Sequence, residues 1–136
     1  MKRPAGVTVV AVLQLAAAAI GFIVSFSLFV PGTAVDRIWK LNPGVHAAFA
    51  DHAVEVAPML ALVGLLSAIS GVGLLRGYLW AWLLSVALFG INALGDVVSL
   101  LMVRDWFQGI AGIVVDAAFL YQLLHASARE FFLKRR

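Results

Sequence analysis

"LLRGYLWAWLL", residues 74–84, decides how the rest of the chain is read. Two apolar runs meet there at one arginine and one glycine, with Tyr78, Trp80 and Trp82 just beyond. Residues 56–75 on one side carry no charge, and residues 77–103 on the other carry only Asp96. Each run reaches the roughly 20 apolar residues that, at about 1.5 Å per residue, cross a hydrocarbon core. A tight basic turn between two such runs predicts two antiparallel transmembrane helices. They reverse at the cytoplasmic interface, where arginine is retained and aromatic rings sit among the headgroups.

The same logic extends outward. Residues 4–35 carry no charge, and residues 106–128 carry only Asp116. The reading is all-α: an integral membrane four-helix bundle with spans over about 5–30, 57–76, 79–103 and 107–129, forming one domain over 1–136. Runs such as "LALVGLL" do not alternate in polarity, as a barrel strand would. "VRDWF" supplies a second tight turn, so the last three spans are expected to be consecutive neighbours. The first run is far longer than a signal-peptide core and is expected to stay as an uncleaved helix.

Composition agrees. The chain is 63% hydrophobic and 12% charged, whereas an ordinary soluble domain is about 25% charged. Its mean hydropathy is +1.02. The lipid bilayer is therefore the first expected partner. A net charge of +3, concentrated near the ends, argues against nucleic acid. There is no cysteine, hence no disulfide and no thiolate chemistry. Seven basic residues (Lys2, Arg3, Arg76, Arg129, Lys134, Arg135, Arg136) fall on one side and three (Arg37, Lys40, Arg104) on the other. That bias places both termini in the cytoplasm of a multi-pass protein.

The outer connection, 31–56, is long enough to carry structure of its own. Thr33 is placed to cap a helix over 33–41, with Asp36 three residues on. Val35, Ile38 and Trp39 would share one face and Arg37 and Lys40 another, which predicts a small amphipathic helix at the outer interface. "NPG" at 42–44 ends it, and a second helical stretch, 45–57, leads into the next span with Pro58 in that span's first turn.

The candidate site is an intramembrane polar cluster of Asn92, Asp96 and Asp116. Taking residue 105 as the turn, Asp96 lies nine residues before it and Asp116 eleven after, a difference in depth of about 3 Å. Asn92 is one turn from Asp96 on the same face. A carboxylate at such depth costs several kcal/mol unless protonated or paired, and two adjacent carboxyls would share a proton. His125 near the inner end of the last span, and His46 and His52 in the outer connection, are further candidate contacts for a ligand or cofactor. A single imidazole suffices for haem or chlorin, and lipid is the other candidate ligand; no cofactor is specified. No "HExxH"-like spacing is present and no metal is expected.

The opening "RPAGVTVVAVLQL" and the hairpin "RGYLWAWLL" at 76–84 resemble small four-helix bacterial inner-membrane proteins of uncharacterised families, which share an RPxGVT start and an RGxxWAWxL hairpin. The resemblance implies the bacterial cytoplasmic membrane and implies no activity. With no phosphate loop, nucleophile elbow or broken span, the expectation is a non-catalytic accessory or scaffold subunit of a larger membrane complex, of respiratory or photosynthetic type. It would pack against other membrane subunits. The alternative is a homo-oligomeric proton- or ion-conducting protein using Asp96 and Asp116. A lipid- or quinone-binding protein is a third reading.

Overall fold

A computed structural model describes residues 2–103 and 106–134. The turn at Arg104 and Asp105 lies outside the described residues, as do Arg135 and Arg136 of the charge bias. The described chain is 89% helical and contains no strand. The helices are α1 (Ala5–Phe29), a 3-10 helix (Ala34–Leu41), α2 (Pro43–Ala50), α3 (Ala53–Arg76), α4 (Leu79–Val103), α5 (Trp106–Leu124) and α6 (Ala126–Leu133). α1, α3 and α4 are long and apolar enough to cross a membrane, and α5 with α6 makes a fourth if the bent pair counts as one span. Only 28%, 28% and 11% of the most apolar windows of α1, α3 and α4 are buried. Large apolar side chains such as Ile20, Leu62 and Leu94 face outward at 61%, 56% and 68% exposure. Apolar surface on that scale is what lipid solvates and water does not.

The chain forms two compact units, Met1–Leu13 with Ile69–Arg136, and Gln14–Ala68; the boundary falls inside α1 and α3. In the second unit α1 and α3 cross closely where Gly21 faces the Leu60 carbonyl and Gly64 faces the Ala18 carbonyl. Ser25 Oγ donates to the buried carbonyl of Ala57 at 2.7 Å. The connection then folds onto this pair. Trp39 is 8% exposed and packs with Leu28 and Ala57, so its shield is the chain's own helices. Three side chains fix the 3-10 helix: Trp39 Nε1 donates to Ser27 Oγ at 2.7 Å, Ser27 Oγ donates to Asp36 Oδ1 at 2.5 Å, and the Gly32 N–H donates to Asp36 Oδ2 at 2.6 Å.

Two local expectations are corrected here. Thr33 stands at the N-cap but its hydroxyl makes no cap bond; the Asp36 carboxylate reaches back to the entering chain instead. The stretch expected at 45–57 is split. α2 begins at Pro43, with Asn42 Oδ1 accepting from the Val45 N–H at 3.2 Å, and ends at Ala50. α3 begins at Ala53, with the His52 carbonyl accepting from the N–H groups of Glu55 and Val56. Pro58 therefore sits in the second turn of α3, where its missing N–H removes one bond from the helix start.

In the first unit the hairpin turns on Gly77, whose φ of +76 a side chain would strain. Its N–H bonds the Leu74 carbonyl at 3.1 Å and the Tyr78 N–H bonds the Gly73 carbonyl at 2.9 Å. This paired closure satisfies the last carbonyls of α3. The Arg3 guanidinium donates to the next carbonyl, that of Leu75, and to Thr8 Oγ1. Val7, Val10, Leu74, Leu123 and Phe132 form the core, with Trp82 stacked on Phe132 at 6.0 Å between centroids. The expected continuous helix over 107–129 breaks at His125, and α6 leaves α5 at 52°. His125 caps α6 by accepting from the Ser127 N–H, while Ala128, Phe131 and Phe132 drop into the core. Burying two phenylalanines while leaving Arg129 and Glu130 exposed needs the bend.

Candidate functional site

α4 and α5 lie side by side. Phe89 meets Phe119 edge-on at 5.0 Å, and Gly109 lies against Leu100. Gly112 lies against Asp96, whose carboxylate occupies the space a Cβ would need. Asn92 and Asp96 share one face of α4, and Asp116 stands one turn beyond Gly112 on α5. These residues line a groove of about 700 Å³ together with Ile91, Gly95 and Val115.

Within the groove Asp116 is 6% exposed and shares the lining with the Asp96 carboxyl. Two neighbouring carboxyls can bond each other only when one carries a proton, because two carboxylates offer acceptors only. Asp96 is half-buried and the Asn92 amide is exposed. Among the described residues no lysine, arginine or histidine lines the groove. The arrangement offers two carboxyl groups and an open amide. It can accept a donor or a cation from outside, and a carboxyl that carries a proton can pass it on.

The histidines lie elsewhere. His46 stacks on Trp39 at 4.6 Å, and His52 is exposed between α2 and α3. His125 Nδ1 lies 3.0 Å from Ser127 Oγ, and its ring meets Tyr121 edge-on. Among the described residues no three His, Asp or Glu side chains could together hold a metal ion. Sequence reasoning did not assign Gly112 its place under Asp96; the small residues of "GIAG" at 109–112 are the signal that could have found it. It also passed over Ser27, whose position between Trp39 and Asp36 leaves no local sequence signal.

Compared with known protein families, with curated proteins and with solved structures, the chain matches none.

Proposed function

We propose that this is a non-catalytic, four-span helical bundle of a bacterial cytoplasmic membrane, with both termini cytoplasmic, which serves as an accessory subunit. It docks a larger membrane complex through the α4/α5 groove. One observation carries this reading: Asn92 is exposed, beside Asp96 and Asp116, in a groove otherwise lined by Ile91, Gly95, Ala111, Gly112 and Val115. An amide turned to hydrocarbon forfeits its hydrogen bonds at a cost of several kcal/mol. A partner helix bearing a donor side chain restores them.

The test is purification of the full chain in mild detergent beside Asp96→Asn and Asp96→Leu. Asparagine still donates and accepts, so Asp96→Asn retains a stoichiometric larger partner. Asp96→Leu weakens that association by about 1–2 kcal/mol, roughly 5- to 30-fold. Retention by both variants defeats the groove as the contact.

The second reading, proton conduction by a homo-oligomer, is favoured by the two carboxyl groups that Asp96 and Asp116 bring to one groove. It requires a pH-driven flux in proteoliposomes that Asp96→Asn abolishes without changing the oligomer. No flux from the wild type removes it.

A further inference from the structure

At the hairpin end of the first unit the structure gathers Lys2, Arg3, Arg76, Arg129 and Lys134 with one described acid, Glu130. Arg3 is engaged with Leu75 and Thr8. Arg129 and Lys134 are exposed on the outer face of α6, whose inner face is fixed by Ala128, Phe131 and Phe132 at 0%, 3% and 1% exposure. That face holds a cleft of about 320 Å³ lined by the apolar Ala126 and Leu133 and the charged Arg129, Glu130 and Lys134. Tyr78 and Trp80, exposed and stacked at 6.0 Å, lie at the same end, as aromatic residues do at headgroup level.

We infer that the outer face of α6 is a headgroup site for an anionic phospholipid, with Arg129 and Lys134 on its phosphate and Leu133 and Ala126 against the start of its acyl chains. Charge complementarity selects the occupant: two outward cations over an apolar floor match a phosphodiester joined to a hydrocarbon tail. The bend at His125 makes the site, because it turns these cations sideways along the end of the bundle instead of leaving them on a tail. The inference rests on the apolar helices lying in a membrane and is independent of what occupies the α4/α5 groove.

The test compares retention of phosphatidylglycerol and phosphatidylcholine by the full chain in mild neutral detergent, read by native mass spectrometry. Phosphatidylglycerol is expected to be preferred, by about fivefold for each of the two basic residues. Arg129→Gln with Lys134→Gln removes the preference, while Arg37→Gln with Lys40→Gln leaves it intact. Glu130→Gln raises it, because Glu130 now holds Lys134 at 3.4 Å. The exchanged side chains are exposed, so an unchanged unfolding temperature verifies the fold. Equal retention of the two lipids, a preference that survives loss of both cations, or displacement of the lipid by excess inorganic phosphate overturns the inference.

Discussion

The indole Nε1 of Trp82 donates to the main-chain carbonyl of Leu123 at 2.8 Å in the core. In an unbroken helix that carbonyl would accept from the Ser127 N–H. Here the Ser127 N–H turns to the His125 ring at 3.4 Å, and Trp82 takes the vacated acceptor. The end of α5 therefore has a side-chain partner from α4 where helix ends otherwise need water. Trp82→Phe keeps an aromatic ring on Phe132 but leaves the carbonyl unpaired. It should lower unfolding stability in mild detergent by about 1–3 kcal/mol. Trp80→Phe, at an exposed ring, should stay within about 0.5 kcal/mol of wild type.

Gly112 and Gly95 face the same groove with opposite tolerance. Gly112→Ala places a methyl where the Asp96 carboxylate lies, whereas Gly95→Ala meets nothing within 4 Å. The first should separate the carboxyl pair and cost about 1–3 kcal/mol. The second should match wild type or exceed it slightly, because alanine is the better helix former. Unfolding of the two variants side by side checks this.

Asp36 gives the outer connection a pH dependence. The Ser27 hydroxyl first, then the Gly32 N–H and the nearby His46, hold its carboxyl below the usual carboxylate range. A lowered folded pKa means that the freed segment takes up the proton more readily. The stabilisation is therefore complete above the ordinary value of about 3.9 and is lost as pH falls through the lowered one. Amide exchange across residues 33–41, corrected for intrinsic rates, should be steady from neutral pH to about pH 5 and accelerate below about pH 4. Asp36→Asn should be less protected and flat over that range.

Topology is tested by reporter fusions. Fusions after residue 136 and near residue 77 should report the cytoplasm, and a fusion near residue 45 the outside. If α5 and α6 do not together complete a crossing, the C-terminal fusion alone changes sides.

The long helices were legible because charge is costly where lipid is the solvent, so runs with at most one charge locate α1, α3 and α4, and the expected spans 5–30, 57–76 and 79–103 fall within four residues of them. The break at His125 was not. Nothing between 117 and 128 is charged, and the stretch holds neither proline nor glycine; the bend comes from Trp82 and from the burial of Phe131 and Phe132, contacts distant in sequence. Depth arithmetic likewise put Asp96 and Asp116 at one height. Their meeting also depends on the rotation of both helices and on the missing Cβ of Gly112, which spacing along one strand of sequence does not encode. Thr33 shows the reverse case: a good local cap signal lost to Asp36, whose partners Ser27 and Gly32 precede the helix.

The bond from Arg3 to the Leu75 carbonyl ties positions 72 residues apart. During synthesis the beginning of α1 emerges first, yet its anchoring partner is made only when α3 is nearly complete. The α3/α4 hairpin closes locally as soon as it leaves the ribosome, whereas the first turn of α1 must wait for a distant segment. A nascent chain halted before residue 75 would hold a first helix without this bond, and Val7 and Val10 of that helix meet Leu123 and Phe132 only after α5 and α6 have followed.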